Sequence, residues 1–160
     1  MKHKTFARGF LLANLIIPWL TLPFLGRQTI RKYFLAGIFI SLVVRFESIF
    51  AKKFRWWWFY DKLHPKLSGE FPLIWGSFLF TSIWKLKYTY GKFPIYFSIN
   101  FILDSFFTFV ITSFLKKSGI ASLVRLKKYQ LSFLFLIKSL LLYGFQYFYE
   151  KLQRDKNYLH

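Results

Sequence analysis

Asp104 is the residue whose position in this sequence most needs a chemical reason. It falls at the midpoint of the apolar run 93–115, where a carboxylate costs about 2.5–3.5 kcal/mol on insertion scales. Asn100 lies one turn before it and Thr108 one turn after, so the three form a polar stripe that should face protein or a water-filled cavity. Lys138 is the second intramembrane ion, beside the middle of the run 129–149. If these two runs are antiparallel neighbours, Asp104 and Lys138 match in depth to within about 1.5 Å by helical rise. Direct pairing, as ions or as a neutral pair after proton transfer, would relieve both desolvation penalties. The expected role is to fix the register of two helices, and a proton or ion relay is the sharper alternative. Arg45 sits about three residues, roughly 4.5 Å, from the middle of the run 33–51. It either competes for Asp104 or, as the favoured choice, snorkels to the headgroups.

Other chemistries find few residues to carry them. The chain has no cysteine, which removes disulfides, thiolate metal sites and thiol nucleophiles together. His3, His64 and His160 are too dispersed for a metal site, and no phosphate-cradling glycine loop or nucleophile elbow is present. Neither a metal nor a cofactor is expected. Convergence of Arg45, His64 and Glu70 near one interface would suit action on a lipid headgroup, although His64 before Pro65 reads more simply as a turn residue.

The elements that must hold these groups follow from composition. Of 160 residues, 55% are hydrophobic and 24% aromatic, yet the formal charge is +18. A soluble domain could not bury so much Phe, Leu and Ile, and the Lys and Arg residues cluster between apolar runs as they do at the flanks of membrane spans. Nucleic-acid binding is disfavoured, because the Phe residues lie inside the apolar runs rather than among the charges. The surplus cations instead suit anionic lipid headgroups. The expected fold is all-α, a single integral membrane bundle of about five transmembrane helices at 9–26, 33–51, 71–90, 93–115 and 129–149, with a solvated tail at 150–160. Pro18 and Pro23 should kink the first span, which ends at Arg27 with no cleavage pattern and so reads as retained.

Between the second and third spans, 52–70 reads as an interfacial segment: Trp56, Trp57, Trp58 and Tyr60 suit headgroup depth, and lysines surround them. The segment 116–128 is expected to be a short surface helix. Gly37, Ser41, Arg45 and Ser48 share one face of the second span, and Gly37, Ser41 and Ser48 should pack on another helix or on a membrane-protein partner. Glu47 points nearly opposite Arg45. Lys and Arg number 13 around the amino end, 52–70 and 116–128, against 9 around 27–32, 85–92 and the tail. The positive-inside rule therefore places the amino end in the cytoplasm of a multi-pass cell-membrane protein.

The run from Trp56 through Trp57-Trp58-Phe59-Tyr60-Asp61-Lys62-Leu63-His64-Pro65-Lys66-Leu67-Ser68-Gly69 to Glu70, then Pro72-Leu73-Ile74-Trp75-Gly76 and Leu103-Asp104-Ser105-Phe106-Phe107-Thr108, resembles small uncharacterised multi-pass membrane proteins of Gram-positive bacteria. The resemblance covers most of the chain and implies the membrane architecture alone, with no activity, cofactor or catalytic residue. Together these features point to a non-enzymatic accessory or structural membrane component. A small transporter or ion-translocating subunit using Asp104 and Lys138 is the alternative, and a lipid-headgroup-modifying enzyme the third reading.

Overall fold

A computed structural model describes residues 2–158, with side chains from Lys4 onward; the His3 side chain and His160 lie outside the described residues. The chain is all-α apart from two short strands. Helix α1 (Lys2–Leu20) carries Pro18 and yields at Thr21 to a single turn, α2 (Leu22–Leu25). Thr21 donates through both its amide and its hydroxyl to the Pro18 carbonyl, at 3.1 and 2.6 Å. Pro18 has no N–H for the carbonyl four residues back, that of Asn14. Ser77 Oγ stands 3.3 Å from the freed Asn14 carbonyl oxygen and 2.8 Å from Asn14 Oδ1, its one proton serving one acceptor at a time, so the expected kink is also a helix contact.

Gly26, at φ +79°, turns the chain into α3 (Arg27–Phe54). Residues 27–32, which lie between the expected spans 9–26 and 33–51, are the first turns of this 28-residue helix, because Gly26 alone makes the reversal. Strand β1 (Trp57–Phe59) follows, then a π-helical turn, Leu73–Phe78, that runs straight into α4 (Leu79–Thr89). Gly91, at φ +88°, reverses the chain into α5 (Phe93–Phe106). A second π-helical turn, Phe107–Ile111, leads to α6 (Thr112–Lys117). Strand β2 (Ala121–Leu123) precedes α7 (Lys128–Tyr158).

The two strands pair antiparallel, with Trp57 opposite Leu123, Trp58 opposite Ser122 and Phe59 opposite Ala121. The surface helix expected at 116–128 is thus corrected: α6 stops at Lys117, Gly119 takes φ +64°, and the next residues complete a ladder with the aromatic segment. Both basic loops consequently lie on one face of the molecule. The amino-terminal residues Ala7 and Leu11 join that face, packing with Leu115, Ile120 and Ala121. At the other end, Lys87 Nζ reaches the carbonyls of Phe24 and Leu25 at 3.1 and 3.3 Å, and Lys32 pairs with Glu150 at 3.1 Å.

Four helical segments among the described residues are long and apolar enough to cross a membrane: Lys4–Leu25, Arg27–Phe54, Phe93–Lys117 and Lys128–Tyr158. The outward surface is as apolar as these spans require, with Phe24, Phe46, Ile102, Phe133 and Phe148 each more than 60% exposed. The expected third span, 71–90, is the innermost helix rather than an apolar one. Leu79, Phe80, Ile83 and Leu86 are buried at its centre, and Ser77, Ser82, Lys85, Lys87 and Thr89 have protein partners, so it needs less apolarity than a lipid-facing span. The tail expected to be solvated is helical to Tyr158 and exposed from Lys151. At about 1.5 Å per residue, the 31 residues of α7 reach about 46 Å, beyond a hydrocarbon core of about 30 Å.

Candidate functional site

A cavity of about 360 Å³ opens among α3, α4, α5, α7 and the strand pair. This is the low end of the size range of small-molecule pockets. Both π-helical turns line it, through Leu73, Ile74, Ser77 and Phe78 on one side and Phe107 and Ile111 on the other. Insertion of a π turn into an α-helix displaces the face that follows, and such turns recur at functional sites. The lining is mostly apolar, with Leu115, Leu131 and Phe135 completing the walls near the strands. Its charged residues sit at two levels: Glu70 beside the strands, and Lys85, Asp104 and Lys138 at the deep end.

Asp104 and Lys138, expected to bond each other, share this cavity but take different partners. Lys138 Nζ lies 2.7 Å from Glu47 Oε2 on α3, and Lys85 Nζ lies 3.4 Å from Asp104 Oδ1. The correction has a geometric cause, since matched depth on α5 and α7 does not exclude a closer ion from α3 or α4. Lys85 lies near the end of a short apolar run, the pattern of a snorkelling lysine, yet its side chain is only 13% exposed. Glu47 supplies the second acid; a carboxylate within an apolar span was the sequence signal that marked it. The Lys138 ammonium also lies 4.2 Å from the centre of the Phe135 ring, in cation–π contact.

Of the expected polar stripe, Asn100 and Asp104 are joined through α7. Ser139 Oγ stands 3.0 Å from Asn100 Oδ1 and 3.2 Å from Asp104 Oδ2, and its one proton serves one acceptor at a time. Tyr96 donates to the Ser139 carbonyl at 2.7 Å, while Asn100 Nδ2 donates back to the Tyr96 carbonyl at 2.8 Å. Thr108 is buried outside this network, with no hydrogen-bond partner for its hydroxyl among the described residues. The stripe nevertheless faces protein as expected, with Asn100, Asp104 and Thr108 all buried.

Arg45 does not bond Asp104; its Nη1 donates to Ser68 Oγ at 3.2 Å. Gly37, Ser41 and Ser48 are buried within the chain itself. Gly37 meets Leu79 and Ile83 of α4, where an added Cβ would lie 3.0 Å from Leu79 Cδ1. Ser48 donates to Glu70 Oε2, and Trp57 Nε1 donates to Glu70 Oε1 at 2.7 Å. Arg45 and Glu70 are therefore neighbours through Ser48 and Ser68, whereas the His64 imidazole accepts the Lys66 amide at 3.2 Å in an exposed turn. Of the aromatic anchors, Trp57 lines the cavity, Trp56 stacks on Phe54, and Trp58 and Tyr60 are exposed. Tyr60 is also tied to Ser122 by a 2.8 Å hydroxyl contact.

Burial raises the Glu70 carboxyl above the ordinary carboxylate range, against the opposing pull of the Trp57 hydrogen bond and the Lys52 and Arg45 charges. A carboxyl raised on folding favours the folded state below its unfolded pKa and loses that contribution as pH rises through the folded value. Stability should therefore fall across a window that starts at the ordinary carboxylate range and extends above it. Glu70→Gln should flatten this step, which thermal melts at a series of pH values would measure. An unchanged step in the variant would assign it to another group.

Comparison with protein-family models, curated proteins and solved structures finds no match to this chain.

Proposed function

We propose that the chain is a five-span, non-enzymatic accessory protein of the cell membrane that holds an apolar chain, such as a lipid tail, in the cavity between its helices. The observation that carries this reading is the cavity itself, apolar for most of its wall and lying within a lipid-exposed bundle. In such a bundle an apolar pocket is filled more readily by a hydrocarbon chain than by water, which needs polar partners there. Connectivity supports a fifth crossing. The strand pair holds the ends of α3 and α6 on one face, and α5 with α6 forms a 25-residue apolar rod to the other face. The helix from Phe71 to Thr89 must then make the return journey. The basic loops on the strand face support a cytoplasmic position for that face and the amino end.

A second reading is favoured by one observation: the cavity reaches Lys85, Asp104 and Lys138. Ionisable groups facing an intramembrane cavity mark ion and proton pathways, so a translocating subunit is the alternative. The enzyme reading has less support, because His64 sits in an exposed turn away from Arg45 and Glu70.

Photolabelling with a phospholipid carrying a diazirine in its acyl chain separates these readings. Labels are expected on cavity-lining residues of 73–81 and 103–115, and Thr81→Trp or Ile111→Trp should remove them by filling the space. Labelling at the lipid-facing Phe133 should persist. Cavity labels that survive both substitutions, or that never form, would overturn the lipid-holding reading. A proton or ion flux abolished by Asp104→Asn in liposomes would put the translocation reading in its place.

A further inference from the structure

We infer that the opposite end of the bundle carries a second site, for a phosphate ester bearing hydroxyl groups, between the start of α3 and the projecting end of α7. A pocket of about 430 Å³ lies there, and every residue lining it carries a polar or charged group. Helix α3 contributes Gln28, Arg31 and Lys32 from its first turns, and α7 contributes Gln146, Tyr149, Glu150, Gln153, Arg154 and Asn157. The α7 set falls at spacings of three and four residues, one continuous helix face. Three cations line the pocket against one carboxylate.

The partners in the pocket show what is left over for a ligand. Glu150 is engaged by Lys32 at 3.1 Å and by Gln146 Nε2 at 3.0 Å. Arg31 and Arg154 form no ion pair among the described residues. Two guanidiniums beside the amino-terminal end of a long helix suit a phosphate, through charge-assisted hydrogen bonds and the helix dipole. The independent observation is Gln146. It is fully buried, lines this pocket, and its Oε1 has no donor among the described residues. A phosphate whose oxygens all accept from the two guanidiniums has no donor left for Gln146, whereas a hydroxyl on the ligand's alcohol supplies one. Phosphate toward Arg31 and Arg154 with hydroxyl toward Gln146 is the chemistry of a glycerophosphate group. Such a group is available as the headgroup of phosphatidylglycerol or as free glycerol phosphate.

The test uses the full chain in nanodiscs, with thermal stability as the readout. In phosphatidylcholine discs, glycerol 3-phosphate and inorganic phosphate are titrated separately; in a second series, phosphatidylglycerol or phosphatidic acid replaces part of the lipid. Stabilisation by phosphatidylglycerol over phosphatidic acid supports the headgroup source, and stabilisation by glycerol 3-phosphate over inorganic phosphate supports the soluble one. Arg31→Gln and Arg154→Gln, both at exposed positions, should each weaken the effect about tenfold. Gln146→Leu should abolish the preference for the hydroxylated ligand while leaving phosphate binding. Equal response to hydroxylated and plain phosphates overturns the assignment of Gln146. No response, or a response unchanged in both arginine variants, overturns the site.

Discussion

Lys138→Met is expected to destabilise the protein by about 3–5 kcal/mol, the cost of leaving one member of a buried ion pair alone. The stranded group is Glu47. Its side chain is 12% exposed, its Oε2 is held by Lys138, and its Oε1 has no partner among the described residues. Glu47→Gln should cost less than Lys138→Met, because the neutral amide still offers an oxygen to the ammonium. Glu47→Leu with Lys138→Met should recover most of the loss, since replacing both partners by apolar groups is often neutral. Chemical unfolding in mixed micelles of the wild type, Glu47→Leu, Lys138→Met and the double variant gives the four free energies of this cycle. The same measurement on Asp104 and Lys138 should return the smaller coupling, as those two residues have separate partners. A larger coupling between Asp104 and Lys138 than between Glu47 and Lys138 would contradict the pairing.

The ion pairs show where sequence reasoning reaches its limit. Depth in the membrane is readable from position along a run, so Asp104 and Lys138 were identifiable as deep residues and do reach one cavity. Azimuth between helices is not readable in the same way. Two carboxylates and two lysines meet at the deep end, and choosing among the pairings requires knowing that α3 and α4 also pack there. Lys85 was the misleading member, since two lysines near the end of a short run have the pattern of snorkelling groups. Its actual environment depends on α4 being central, a property of the whole assembly.

The strand pair was hidden for a related reason. Trp57–Phe59 and Ala121–Leu123 are three residues each, separated by more than sixty positions, and neither has enough alternation to announce a strand. Their ladder is a long-range pairing between segments that each read as interfacial. By contrast, the apolar runs at 9–26, 33–51, 93–115 and 129–149 correspond closely to helices, because about twenty consecutive apolar residues leave few other structures available. The opposed directions of Arg45 and Glu47 were also legible, being fixed by helical geometry alone.

The second large effect should come from Gly76, in the first π turn. A Cβ built there would stand 2.1 Å from the Asn14 carbonyl oxygen and 2.8 Å from the Leu15 Cα. Both are backbone atoms of α1, so no rotamer change can relieve the contact. Overpacking typically costs about 1–3 kcal/mol where side chains can shift, and Gly76→Ala should reach or exceed the top of that range. The same step also separates Ser77 from Asn14, whose Oδ1 lies 2.8 Å from the serine hydroxyl. Gly144→Ala is the internal control, because nothing lies within 4 Å of a Cβ at that position on α7. There the gain in helix propensity, about 1 kcal/mol, should make alanine neutral or stabilising. Thermal melts of the two variants in one detergent compare them directly. Equal stability would mean that α1 does not rest on the π turn, and the reason for a glycine at position 76 would be lost. A fall confined to Gly76→Ala would place the α1 contact directly behind the wall formed by Leu73, Ile74, Ser77 and Phe78. Displacing α1 should then also reduce acyl-chain photolabelling of 73–81, linking the proline-freed carbonyl of Asn14 to the shape of the cavity.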